Sequence, residues 1–336
     1  MSFRRRSCEA CFKGKRKCDS AAPVCTRCQR TGKECHYIYP LDSENGFYKF
    51  TERQSSVTKR RVLEPSAGKG RTLDIPNLLG HLGEVRPIIG QAKSWEWLIQ
   101  EFKSFPVSFG QTGEAGFIHK GAYAECANSL RTAYGLCLAQ HMSTNDESRS
   151  SLMQMMADEV VRLLNTPSDL SLLDELARLQ ALVLYQITRL LTGDLEQRIM
   201  AEYQESTIEH LSLQMLSRVT TEIGLVATTW EEWLIVESVR RTAIVAFMLY
   251  CLHLTHTLGV STCFSAMARL PVSTRHELWE SPQSFTPEVD NSLSYQAFAD
   301  SWAAYPFRQL QPFEKMLMVP CKGLDTVESY VVGVAA

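Results

Sequence analysis

Six cysteines, Cys8, Cys11, Cys18, Cys25, Cys28 and Cys35, are spaced C-x2-C-x6-C-x6-C-x2-C-x6-C, and no other feature of the chain constrains its fold as tightly. The stretches Cys8 to Cys18 and Cys25 to Cys35 share one internal spacing, so each can supply a turn of helix and a return loop around common metals. A structural zinc takes four ligands in a tetrahedron. Two zincs would need eight ligand positions from six thiolates, so two sulfurs must bridge. A segment this short cannot bury enough apolar surface to fold unaided, and the metal must supply the folding free energy, on the order of 10 kcal/mol or more.

A disulfide framework is the other common use of six cysteines, and it requires an oxidising compartment. The chain opens Met1-Ser2-Phe3-Arg4-Arg5-Arg6, without the apolar stretch and small-residue cleavage site of a secretory signal, so paired cysteines are not expected. Iron-sulfur ligation also uses cysteine clusters, but the familiar ferredoxin spacings do not match.

Cys8 to Cys35 resembles the fungal binuclear zinc cluster, the six-cysteine DNA-binding module of fungal transcription regulators. The resemblance implies two Zn2+ per chain, with Cys8 and Cys25 bridging and Cys11, Cys18, Cys28 and Cys35 as terminal ligands. Pro23 matches the family's loop proline, and Asp19 its frequent acidic residue after the third cysteine. Phe12-Lys13-Gly14-Lys15-Arg16-Lys17 packs four cations into six residues. Such a run is compatible with a solvated face, but two dications and six thiolates leave a net charge of −2 for those cations to offset. The family reads a short triplet, typically CGG, in the major groove from the end of the first helix. Lys15, four places after the second cysteine, holds the position of its main base contact, and a lysine donor suits the O6 and N7 acceptors of guanine. Lys13, Arg16, Lys17, Arg27, Arg30 and Lys33 are expected to contact phosphates, which set affinity and register. Phe12 and Gly14 stand where the family often has basic residues.

Net charge divides along the chain. Residues 1 to 72 hold 17 Lys and Arg against 7 Asp and Glu, whereas residues 73 to 336 hold 18 against 30. A basic head of +10 on an acidic body of −12 is the layout of a protein that touches nucleic acid with one end. Residues 40–76 read as a linker, with Lys59-Arg60-Arg61 and the stretch from Glu64 to Gly70. No heptad repeat is visible there, so dimerisation and half-site spacing stay open, although a homodimer is among the partners that the resemblance allows. Arg4-Arg5-Arg6 and Lys59-Arg60-Arg61 suit nuclear import and phosphate contact equally well.

From residue 120 the pattern is helical. Leu172, Leu176, Leu179, Val183, Ile187 and Leu190 step by three and four, with Asp174, Arg178 and Arg189 off the stripe, predicting an amphipathic core helix. Further helices are expected over 123–141, 151–164, 195–216 and 229–258. The apolar run 243–252 is too short to span a bilayer. Trp230-Glu231-Glu232-Trp233 followed by Glu237-Ser238-Val239-Arg240-Arg241-Thr242 resembles, more weakly than the cysteines, the central motif of the fungal-specific transcription-factor regulatory region. Its residues suggest packing: Glu237 and Arg241 are i,i+4 partners, and the tryptophans can anchor the helix start. His253 and His256 could grip a metal, but no acidic or cysteine partner stands near them in sequence, so ordinary packing is the simpler expectation. Cys126, Cys137, Cys251, Cys263 and Cys321 read as buried thiols. The acidic and aromatic stretch 279–313 suits either an activation region or packed helices.

No phosphate-binding glycine loop, nucleophile elbow or zinc-protease helix is present, so catalysis is not expected. The expected architecture is mainly α: a zinc-cluster domain at 1–39, a linker at 40–76 and an all-helical regulatory domain at 77–336. The expected function is sequence-specific, zinc-dependent transcription regulation in the nucleus, at genes of RNA polymerase II, through DNA and the transcription machinery and without a membrane. The resemblance extends this to a fungal secondary-metabolism gene cluster. The alternative is a zinc-cluster adaptor acting mainly through protein contacts.

Overall fold

A helix cannot end on an unsatisfied carbonyl without help, and the head of the chain supplies that help with glycine. In the computed structural model α1 spans Glu9–Lys13 and α2 spans Thr26–Thr31. Gly32 adopts φ 62°, the left-handed conformation that caps a helix without a Cβ penalty, and its N–H returns to the Cys28 carbonyl. The structure describes residues 9–14, 16–18, 25–33, 35, 92–123, 127–166, 170–224, 226–258, 264–287, 292–302 and 310–332. Cys8, Lys15, Asp19, Pro23, the whole expected linker, both basic tripeptides, Cys126 and Cys263 lie outside them.

The chain divides into two compact units, Met1–Arg71 and Thr72–Ala336. The second is mainly α. Its elements are α3 Ala92–Thr112, α4 Asn128–Met142, α5 Asp146–Leu164, α6 Leu172–Thr192, α7 Leu195–Tyr203, α8 Glu205–Glu222, α9 Trp230–Leu258, α10 Phe264–Met267, α11 Tyr295–Ser301, α12 Pro312–Lys322 and α13 Leu324–Val332. Among the described residues the only strands are the two-residue β1 Pro271–Val272 and β2 Leu293–Ser294, paired antiparallel.

Helix α6 is the centre of this unit, and its burial differs from the amphipathic expectation. Leu176, Leu179, Val183, Ile187 and Leu190 are buried as the stripe requires, but so are Ala177, Ala181, Leu182, Leu184 and Tyr185 on the other sides. Arg178 and Arg189, off the stripe, are buried too, because each finds partners inside the protein. Arg178 pairs with Glu175 and donates to the Thr166 carbonyl at 3.0 Å. Arg189 donates to Gln197 Oε1 and Gln204 Oε1, each at 2.8 Å. Gln180, fully buried, donates to the Phe117 carbonyl at 2.9 Å and accepts from the Tyr123 hydroxyl at 2.6 Å. Hydrogen bonding of this kind is what permits polar groups in a core at all.

Two further differences have identifiable causes. Helix α3 precedes the region where helices are expected; Pro106 inside it reads as a breaker, yet the proline is buried on a face with Leu98, Phe102, Phe105 and Phe109. The helix expected over 195–216 is two helices, parted at Gln204, whose side chain turns inward to accept from Gln186 and Arg189. Helix α9 keeps its expected limits within a residue, and its run 243–252 is buried. No helix among the described residues is long and apolar enough to cross a membrane. In the stretch 279–313, Tyr295, Phe298, Trp302 and Phe313 are buried, and Tyr295 donates its hydroxyl to the Leu317 carbonyl at 2.6 Å, so these aromatics serve packing. Cys137, Cys251 and Cys321 are buried and outside any disulfide, as expected.

Candidate zinc and DNA-binding site

The C-x2-C of the second half places Cys25 at the N-cap of α2 and Cys28 one turn inside it, so one short helix aims two sulfurs at one point. The Cys28 N–H donates to Cys25 Sγ at 3.4 Å, and the Cys25 N–H donates to Cys35 Sγ at 3.3 Å. Such bonds orient sulfur and stabilise its thiolate form. Cys11, from α1, brings its Sγ to 3.7 Å from that of Cys25. The sulfurs of Cys11, Cys25 and Cys28 all lie within 4.8 Å of one another, and all three residues are buried.

That spacing discriminates between chemistries. A disulfide brings its sulfurs to about 2.05 Å. Two thiolates at about 2.3 Å from one tetrahedral zinc are separated by about 3.8 Å, the chord of the tetrahedral angle. The Cys11 to Cys25 distance fits shared ligation, and Cys11, Cys18, Cys25, Cys28 and Cys35 are all free of disulfides. Cys18 and Cys35 are half-buried and pack against the same cluster. Cys25 stands between the two halves, touching Cys11 from one and Cys28 and Cys35 from the other.

The cations lie outside this sulfur core. Lys13, Arg16, Lys17, Arg27, Arg30 and Lys33 are all exposed. The Arg16 N–H bonds the Cys11 carbonyl at 2.9 Å and the Lys33 N–H bonds the Cys28 carbonyl at 3.1 Å, so both cations are tied by backbone to cysteines of the cluster. Lys17, Arg27 and Arg30 line an open groove of about 590 Å³ together with Cys18, Thr26 and Thr31. The two threonines escaped the sequence reading. They bracket Arg27 and Arg30 at the two ends of α2, and Thr31 Oγ1 donates to the Arg27 carbonyl at 2.9 Å, so its hydroxyl hydrogen is engaged within the helix.

In the second unit, His253 Nε2 meets Glu202 Oε1 at 2.7 Å, a partner from α7 far from it in sequence, while His256 is exposed at the end of α9. The two histidines are not part of a metal-ligand group among the described residues.

Comparison with known proteins bears directly on the head. Residues 6–43 match the family model of the fungal Zn(2)-Cys(6) binuclear cluster domain. Over 340 aligned positions the chain is 26% identical to the Transcription factor gsfR2 of Penicillium aethiopicum, covering 82% of this chain and 81% of that protein. No solved structure matches. Residues 6–43 thus match the fungal binuclear zinc-cluster domain, and the chain as a whole is similar to a fungal transcription factor.

Proposed function

We propose that the protein is a zinc-dependent, sequence-specific regulator of transcription that holds two zincs with its six cysteines and reads CGG-type DNA from the end of α1. The reading rests on one observation above all: the convergence of three buried sulfurs beneath exposed cations carried by the same two short helices. Cys8 and Cys25 bridge the metals; Cys11, Cys18, Cys28 and Cys35 complete them. Bound zinc supplies the cross-links that hold these helices in place of a hydrophobic core. Lys15 donates to guanine edges. Lys13, Arg16, Lys17, Arg27, Arg30 and Lys33 neutralise phosphates, the term that dominates affinity.

The domain order follows the same logic: a DNA-binding head at 1–39, a linker at 40–76 and a helical regulatory body at 77–336, whose negative charge keeps it off the duplex. The protein works in the nucleus, at genes of RNA polymerase II, through contacts with the transcription machinery. Similarity to a named fungal transcription factor supports this class; control of a secondary-metabolism gene cluster belongs to the proposal only through the family resemblance of the cysteine cluster. A homodimer on paired half-sites is one assembly compatible with such DNA.

The test is fluorescence anisotropy of the zinc-loaded full chain on a duplex holding one CGG triplet, on a paired CGG duplex, and on a scrambled duplex of equal length and charge. A preference for the CGG duplexes that chelation abolishes is the expected result. Equal binding to all three, with zinc retained, removes sequence-specific reading and leaves the adaptor acting through protein contacts.

A further inference from the structure

Away from the cluster, a cavity of about 610 Å³ opens where α3, α4, α5 and the end of α6 meet. Its size lies within the range of small-molecule sites. Cys137, Met153 and Ile187, all buried, give it an apolar floor. Burial pushes the Cys137 thiol up to about 12, so its sulfur acts as an apolar surface and not as a nucleophile.

The polar lining is of two kinds. Gln140 holds its side-chain Oε1 buried and without a hydrogen-bond partner among the described residues. A buried polar atom left unpaired is rare in a folded protein and calls for a partner. The second kind is charge. Lys103 and Arg149 both line the cavity, and neither forms an ion pair among the described residues; Arg149 donates only to the Ser143 carbonyl, at 3.2 Å. The carboxylates that share the cavity are engaged by helix ends. Asp194 accepts the Gln197 N–H at 2.9 Å as the N-cap of α7, and Asp146 lies in the first turn of α5, where the helix dipole favours negative charge. His141 is turned to Gln111, 3.0 Å from its Nε2.

We propose that this cavity binds one amphipathic small molecule, with an apolar body of ring size against Cys137, Met153 and Ile187, a hydrogen-bond donor for Gln140, and an anionic end held by Lys103 and Arg149. The inference is independent of how the head reads DNA, and its test involves none. The apolar floor supplies affinity, while the unpaired acceptor and the two cations without counter-ions set orientation and select against neutral or cationic molecules.

The probe is anilinonaphthalene sulfonate, which joins an aromatic body, a secondary-amine donor and an anion, titrated by fluorescence into the zinc-loaded full chain. Phenylnaphthylamine, the same body without the sulfonate, is the comparison. Saturable binding of one sulfonate probe per chain is expected, about tenfold tighter than the neutral compound. Ser150→Trp, made at an exposed position on the cavity wall, should weaken it about tenfold by filling the space. Lys103→Glu with Arg149→Glu should erase the preference for the sulfonate. Arg131→Glu, which lines a different, smaller pocket, should change nothing. Thermal melts and circular dichroism identify variants that remain folded, and the comparison of the two probes on the parent protein does not depend on any variant. Absence of saturable binding, equal affinity for both compounds, or indifference to Ser150→Trp in a folded protein would each overturn the proposal.

Discussion

Glu237 and Arg241, one turn apart on α9, form an ion pair at 2.9 Å with both side chains at most 3% exposed. Arg241 also donates to the Gly116 carbonyl at 3.1 Å, and its guanidinium carbon stands 3.9 Å from the centre of the Trp279 ring and 4.4 Å from that of Phe313. Glu237 further faces Arg240, whose Nη1 lies 3.9 Å from its Oε2. The motif that begins at Trp230 is therefore a packing node. Trp230 donates to the Leu278 carbonyl at 2.8 Å, and His119 lies edge-on to both Trp230 and Trp279. A charge taken into such a place is tolerated only with its partner present. Glu237→Gln removes the carboxylate hydrogen-bonded to Arg241, leaving only the attraction of Glu314 and Glu280, and should cost up to about 3–5 kcal/mol, read as a fall in the thermal midpoint of the second unit. Combining Glu237→Leu with Arg241→Met should cost clearly less than the sum of the two single changes. Additive losses would show that the two residues act separately.

The cysteine cluster was legible because a metal site is written as spacing: Cys11, Cys28 and Cys35 each meet Cys25, and Cys18 packs beside them. The helical body was legible where apolar residues keep a 3.6-residue period, as along α6 and α9. It was illegible where long-range partners override local signals. Nothing in the sequence around Gln204 announces a helix break, since the cause is Arg189, fifteen positions away. Arg178 and Arg189 look like surface residues until their buried partners are known, and Pro106 looks like a terminator until its ring is seen to fill a core position. The cavity residues Lys103, Gln140 and Arg149 come from three helices with no shared motif.

Acid-base behaviour of the body should centre on Glu209. Burial, with a smaller contribution from the nearby Glu205 carboxylate, raises its pKa to about 7. The folded state therefore holds this proton more tightly than the unfolded state does. Its contribution is fully present below the unfolded value near 4.5 and is lost as pH rises to about 7. The residue is half-buried, so the loss should be about 1–2 kcal/mol. Glu209→Gln should flatten the stability profile between these limits, and chemical unfolding at a series of pH values measures it. A profile unchanged by the substitution would assign the pH dependence elsewhere.

Metal analysis separates bridging from terminal cysteines. The purified chain should carry two zincs, measured by elemental analysis; one zinc, or iron with acid-labile sulfide, would refute the paired cluster. Cys25→Ser should disturb both metals, because Cys25 touches cysteines from both halves of the cluster. Cys35→Ser should first weaken one. Chelation should abolish DNA binding while leaving the thermal transition of the second unit in place, since α3 to α13 bury their own core.

The last prediction distinguishes reading from holding. If Lys15 reaches guanine edges, Lys15→Ala should cost roughly 1–3 kcal/mol on a CGG site and much less on unrelated DNA, flattening the preference. Arg30, exposed on α2 beside Arg27 and Lys17 in the open groove, should behave otherwise. If it neutralises one phosphate, Arg30→Ala should weaken all sequences alike and reduce the slope of log affinity against log salt by about one unit. Both variants need their zinc content measured, because loss of the metal would also lower affinity. A fully metallated Lys15→Ala protein that prefers its site as strongly as the parent would transfer base reading to Arg16, Lys17 or backbone groups at the end of α1.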